Sequence, residues 1–237
     1  MTWSILARDG DGRLGVAIAS RFFAVGALCV HTQRGIGALA TQALMNPLYG
    51  PAGSAMLGDG HTAYEVVAAL VLADAGRDQR QLHVLATTGP AAAHTGESCI
   101  EACGHRVFDD FSVAGNILAS PRVLDATAEA YVAAAGRPLA ERLIAALGAG
   151  DAAGGDKRGK QSAALRIHGE EDYPELDLRV DDHADPIAEL LRLYQVSLDR
   201  FQPFVACLAG RHDSVGELDR SRIEARIEAF QTRRREA

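Results

Sequence analysis

The chain predicts an α+β fold of mostly antiparallel sheets layered with helices, and three observations predict it. Two almost wholly apolar runs, Thr2 to Ala7 and Leu14 to Ser20, flank a Gly10-Asp11-Gly12 turn, the pattern of a strand pair covered on both faces. Helical segments then come in pairs instead of singly after each strand, which argues against a doubly wound parallel sheet. The hydrophobic fraction is 48% with only 5% aromatic, so a sizeable core is built mainly from Ala, Val, Leu and Ile. At 237 residues the chain accommodates one full domain, placed at 1–199, with a helical C-terminal extension over 200–237.

The elements follow in order. Ala27 to Thr32 and Ile36 to Thr41 read as short strands around Gln33-Arg34-Gly35, and Asn46 before Pro47 suits a helix start. Thr62 to Ala73 has a helical apolar stripe, and Thr62 with Glu65 forms a capping-box pattern. Gln81 to Ala86 and Ala91 to His94 are strands about Thr88-Gly89-Pro90, and Phe111 to Leu118 is extended around Gly115-Asn116. Pro121 to Ala135 and Pro138 to Leu147 are alanine-rich helices split by Gly136, and a glycine-rich loop spans Gly148 to Gly159. Strands Gln161 to His168 and Leu176 to Val180 precede the helix Pro186 to Asp199, with Asp185 as its cap. From Arg220 the chain is charged and helical, with Ile223, Ile227 and Phe230 on one stripe, the basis for expecting a homodimer or larger assembly.

Composition excludes several function classes. A formal charge of −7 disfavours general nucleic-acid binding. With no 18-residue apolar run and no signal-peptide pattern, no membrane association is expected and the cytoplasm is the default location. Four cysteines in a chain of this length form no disulfide framework.

Chemistry concentrates in a few places. Removal of Met1 would leave Thr2 with a hydroxyl and a free α-amine on one residue, a nucleophile with its own base. Such an amine has a pKa of about 7.7–8.0 and is substantially neutral near pH 7–8. The segment Gly154 to Ala164 carries Asp156, Lys157, Arg158, Gln161 and Ser162 at the mouth of a strand. A phosphate loop would need a hydroxyl where Gln161 stands, and it joins a strand to a helix, the reverse of this context. Around Asp182 and His183 cluster further carboxylates, of which Asp185 reads as a helix cap. His94, Cys99, Cys103 and His105 offer four possible zinc ligands at an unusual spacing, and no metal site is expected from them. No Gly-x-Ser-x-Gly elbow is present.

Several stretches together resemble the uncharacterised bacterial family known as domain of unknown function 1028, from Met1 to about Leu191. They are Met1 to Ile5 with Ala7-Arg8-Asp9, Gly15 to Gly26, Ala40 to Ala43, Asn46 to Gly50, Gly115-Asn116, the loop from Gly154 to Ala164 and Val180 to His183. That family is usually grouped with the N-terminal-nucleophile (Ntn) hydrolases. The resemblance implies a four-layer αββα sandwich with Thr2 as nucleophile. The Asp and Lys of proteasome subunits are not clearly reproduced: Ser20 stands about where the acid would be, and Arg34 near the lysine's place.

The expected activity is therefore hydrolysis of a small amide or peptide-like molecule, with Thr2 and Asn116 catalytic and no cofactor. Thr41 and Gln161 are further candidate donors, and Arg21 and Arg158 would hold an anionic substrate group. Asp156, Ser162, Asp182 and His183 complete the expected substrate-binding set, and Met1, if retained, is expected to fill the substrate side of the pocket. The alternative is a non-catalytic Ntn-fold binding or assembly protein that keeps Met1. A more distant third is a metal-dependent hydrolase using His94, His105, Asp182 and His183.

Overall fold

The computed structural model describes residues 2–236, so expectations about Met1 lie outside the described residues. Strands β1 (Thr2–Arg8) and β2 (Leu14–Ser20) pair antiparallel, Thr2 opposite Ser20 and Arg8 opposite Leu14. There follow α1 (Val25–Leu28), β3 (Val30–Gln33), β4 (Gly37–Ala43), α2 (Tyr49–Gly58) and α3 (Ala63–Ala73). Strands β5 (Arg80–Ala86), β6 (Ala92–Thr95), β7 (Gly104–Val107) and β8 (Phe111–Asn116) come next. Helices α4 (Arg122–Ala133) and α5 (Leu139–Ala152) precede β9 (Ser162–His168) and β10 (Leu176–Val180). Helices α6 (Pro186–Asp199), α7 (Phe201–Val205) and α8 (Arg220–Glu236) end the chain.

The strands form two antiparallel sheets, one of six strands in the order β10-β9-β2-β1-β8-β7 and one of four in the order β3-β4-β5-β6. Alternation along β1 shows how they are covered. Trp3, Ile5 and Ala7 pack with Val123, Leu139, Leu143 and Leu147 from α4 and α5. Leu6 points the other way, into a cluster with Ala38, Ala40 and Leu85 of the smaller sheet. The far face of that sheet packs Leu39, Leu82 and Val84 under Tyr49 and Leu57 of α2 and Val66 and Val67 of α3. Both faces of β1 and β2 are thus buried, which is why their sequences run nearly continuously apolar.

Several local expectations needed correction. Ala27 and Leu28 belong to the short helix α1, and Gly104–Val107 adds a strand that the sequence had not marked. The helix expected at Pro47 begins at Tyr49, because the Asn46 side-chain oxygen accepts from the Leu48 N–H at 3.1 Å and closes a turn first. The supposed loop from Gly148 starts as helix: α5 continues to Ala152 through Gly150, where a Cβ would meet Thr127 Oγ1 at 2.4 Å and Trp3 Nε1 at 2.7 Å. Only glycine lets the helix approach that closely. The capping box at Thr62 and Glu65 and the Asp185 cap form as read.

The C-terminal stripe is turned inward. Ile227 is buried and Ile223 and Phe230 partly so, with α8 packed on α6 and α7. The feature behind the oligomer expectation is therefore used within the chain. Among the described residues no helix is long and apolar enough to cross a membrane.

Candidate active site

Strand β1 begins between the ends of two neighbours, with Thr2 opposite Ser20 of β2 and Asn116 of β8. Thr2 is buried, and its Oγ1 lies 3.0 Å from Ser20 Oγ. Ser20 Oγ also accepts from the Phe22 N–H at 3.1 Å, which ties the hydroxyl pair to the turn leaving β2.

Behind Thr2 a buried polar chain runs between the sheets, and its atoms can be oriented from the backbone outward. The carbonyls of Gly104 and Gly115 can only accept, so the Gln81 amide nitrogen faces them, at 2.9 Å each. Gln81 Oε1 then receives Gln42 Nε2 at 2.6 Å and Asn116 Nδ2 at 3.0 Å. Gln42 Oε1 accepts from Ser4 Oγ at 2.8 Å. The one Ser4 proton being used, His83 Nε2 must donate to Ser4 at 2.9 Å, and His83 Nδ1 accepts from Ser112 Oγ at 2.9 Å. The imidazole is the neutral Nε2–H tautomer, consistent with its complete burial, which pulls its pKa down to about 3.

This orientation changes the reading of Asn116. Its amide nitrogen is held by Gln81, and its Oδ1 is buried without a partner among the described residues. The group left over is an acceptor, whereas the expected oxyanion role needs a donor.

The segment from Gly154 to Gln161 folds across this end. Gly155 O accepts from Ala119 N, Leu118 pairs with Asp156, and Gln161 N donates to Ser20 O at 2.8 Å. Asp156 is buried with its oxygens on the Arg21 N–H at 3.2 Å and the Arg158 N–H at 2.6 Å, and burial pushes its carboxyl above the ordinary range. Arg158 Nε lies 3.7 Å from the same carboxylate, and the Arg21 guanidinium reaches Lys160 O at 3.5 Å.

The remaining expected residues are scattered around this frame. Ser162 Oγ donates to Phe22 O at 2.5 Å and accepts from Val25 N at 3.1 Å, so it shapes the turn after β2. Gln161 Nε2 donates to Asp182 Oδ1 at 3.1 Å, and His183 Nδ1 accepts from Asp185 N at 3.0 Å. Thr41 is turned to the outer face, where its Oγ1 accepts from Asn46 N at 3.2 Å. Its neighbour Gln42 points inward instead, because successive residues of a strand face opposite ways.

A pocket of about 310 Å³ opens on Thr2, walled by Phe22, Val25, Cys29, Leu44 and Met45 with Gln42, Ala43 and Arg80. Among the described residues, three that are not glycine take left-handed backbone angles at this end: Ala24 at φ 51°, Ala43 at 66° and Ile117 at 50°. They follow β2, end β4 and follow β8. Such angles strain a residue that carries a Cβ and cluster where function over-determines the backbone.

The possible zinc ligands bond separately. His94 Nε2 lies on Arg77 O, His105 Nδ1 on Thr95 Oγ1, Cys99 Sγ on Arg80 O and Cys103 Sγ on Cys99 O. Among the described residues no group of three or more His, Cys, Asp or Glu side chains could hold a metal ion.

The family model described as "Family of unknown function (DUF1028)" matches residues 2–190. The chain belongs to the DUF1028 family. The matched span includes both sheets and every residue around Thr2 named above. The chain is also similar to a DUF1028 protein of known crystal structure from Silicibacter pomeroyi, at 33% identity and a TM-score of 0.85 over 92% of this chain and 96% of that one. The ancestral beta-subunit Anbu from Yersinia bercovieri aligns at 12% identity and a TM-score of 0.39 over 83% of this chain and 94% of that one, a likeness too remote to carry an argument. Among curated proteins none matches.

Sequence reasoning passed over Ser4, Gln81, His83 and Ser112. A signal was there: Gln81 and His83 are polar residues at i and i+2 inside an otherwise apolar strand, as Ser4 is in β1. Polar groups so placed must find partners or destabilise the core.

Proposed function

We propose that this DUF1028 protein is an Ntn-type amidohydrolase, with its two facing sheets and outer helices forming the four-layer αββα sandwich of that class and Thr2 acting after Met1 is removed. The observation that carries the reading is Thr2 itself, buried at the start of the central strand, its hydroxyl bonded to Ser20 and facing a pocket. Strained backbone around it adds support.

The Thr2 hydroxyl attacks the amide carbonyl carbon while its proton passes to the α-amine, directly or through water. The C–N bond breaks as that proton reaches the leaving nitrogen, and an acyl ester remains on Thr2. Water then cleaves the ester, returning the proton to Thr2 and releasing a carboxylic acid. Asn116 Oδ1, without a partner among the described residues and opposite Thr2 in register, is an acceptor available to an N–H of the α-amine once Met1 is removed. Gln161, bonded to Asp182, and Thr41, turned outward, are both engaged away from Thr2, so neither of these side chains serves as the oxyanion donor in this reading.

The test pairs intact mass with a panel of small amides. Loss of the methionine, turnover by wild type and none by Thr2→Ala support the proposal. Retained methionine with no turnover by any form overturns it and leaves a binding or assembly protein.

A further inference from the structure

The pocket beside Thr2 has a chemical character that selects one side of a substrate. Its wall is made by two segments, Phe22 to Val25 with Cys29, and Leu44 with Met45. Each segment is aimed by a strained residue: Ala24 at φ 51° sits between Phe22 and Val25, and Ala43 at φ 66° directly precedes Leu44. The chain therefore holds two unfavourable backbone conformations that turn apolar side chains toward one space.

The wall's thiol and amide are neutral, and its charged member, Arg80, is paired with Asp74. Burial pushes the Cys29 thiol up to about 12, so it stays neutral, and its Sγ–H donates to Met45 Sδ at 3.4 Å. The Gln42 amide is held at both ends by Ser4 and Gln81. Arg80, at the rim, has its Nε on Asp74 Oδ2 at 3.1 Å and another guanidinium nitrogen on Leu44 O. Meanwhile Phe22 is 47% and Leu44 60% exposed, large apolar groups at the mouth that a ligand would cover.

We infer that this pocket is an acyl site for an uncharged apolar chain. This rests on Thr2 being the nucleophile, because the group that stays on Oγ1 as the ester must fit the space that Thr2 itself lines. A cavity of about 150 Å³ holds benzene, so 310 Å³ accommodates a chain of roughly six to eight carbons. The substrate class is then an amide of a medium-length aliphatic or aryl acid, with the amine side projecting toward solvent.

The experiment uses primary amides from acetamide to hexanamide, with succinamic acid as the charged counterpart. Hydrolysis is followed for wild type, and binding of the same compounds to Thr2→Ala is followed by calorimetry. Each added methylene is expected to raise kcat/KM and affinity about fourfold, with succinamic acid rejected. Met45→Trp, which fills the pocket, should cut the hexanamide-to-acetamide ratio at least tenfold; Leu44→Asp, at the exposed mouth, should lower it too and serves if the first variant does not fold. Turnover without chain-length preference, or with preference for succinamic acid, overturns the acyl site and leaves the nucleophile reading standing. Length-dependent binding to Thr2→Ala with no turnover by wild type overturns the nucleophile reading and the acyl role with it, and leaves an apolar binding pocket. A flat binding series with no turnover overturns both.

Discussion

The two ends of the same strands are closed by different means. At the end away from Thr2, short turns join β1 to β2, β3 to β4 and β5 to β6, each with glycine in the left-handed region: Gly12 at φ 78°, Gly35 at 64° and Gly89 at 75°. Each charged pair there keeps one partner in contact with solvent, Arg13 on Asp9 at 2.7 Å and Asp110 on Arg8 at 2.6 Å. At the Thr2 end, alanine and isoleucine also take left-handed angles, and Thr2, Ser20, Gln42, Gln81, Asn116 and Asp156 are polar and buried. The first end is what stability alone selects, with strain avoided and each charge paired. The second carries strain and desolvated polar groups, which a purely structural strand end has little reason to collect.

The largest test of this contrast is chemical. Thr2→Ala should reduce amide turnover by at least about a thousandfold, with Thr2→Ser retaining part of it, while circular dichroism shows the fold intact. Equal activity in Thr2→Ala would remove the functional meaning of the difference between the ends.

Next comes the buried amide hub. Gln81→Leu removes the partner of Asn116, Gln42 and the Gly104 and Gly115 carbonyls. Each buried group left unpaired costs about 1–3 kcal/mol, so urea unfolding should show a loss of about 3 kcal/mol or more. A change below about 1 kcal/mol would mean that the network is no more than a filler between the sheets.

His83 makes the contrast pH-dependent. Its folded pKa, about 3, lies below the ordinary 6.5 because the ring is desolvated. Between those values the unfolded chain binds a proton that the folded chain refuses, so stability is lost as pH falls. The slope is roughly 1 kcal/mol per pH unit from this residue. Urea titrations of wild type and His83→Asn should differ in slope by that amount, and parallel curves would deny the buried neutral ring.

The smallest effects have opposite signs. Ala43→Gly relieves a left-handed alanine and should stabilise by about 0.5 kcal/mol net of glycine's freedom in the unfolded chain. Gly12→Ala adds a Cβ that meets nothing within 4 Å, so it imposes backbone strain alone and should destabilise by about the same amount. The Ala43 variant should also lose activity as Leu44 and Met45 relax, which a stability gain alone would not cause.

Much of this molecule was legible in its residues. The continuous apolar strands, the Thr62–Glu65 box and the Asp185 cap formed as read, because each is decided by neighbours within a few positions in sequence. The strand ends at Ser20, Gln42 and Asn116 and the Asp156 segment could be picked out as polar groups closing apolar runs, and the fold gathers them at one end. Their partners were not legible. Thr41 and Gln42 are equally polar neighbours, and only the identity of the facing layer decides which meets Ser4 and which meets Asn46. Asn116 could be named from sequence, but which end of its amide is free follows from two distant glycine carbonyls acting through Gln81. The α8 stripe likewise needed a partner that the chain itself supplies. By itself, then, the sequence determined the periodicity, the caps and the family, which depend on local order. The tertiary structure decided direction: which face each polar side chain takes and which atom of it is left over, because a hydrogen bond depends on atoms brought together from far apart in the chain.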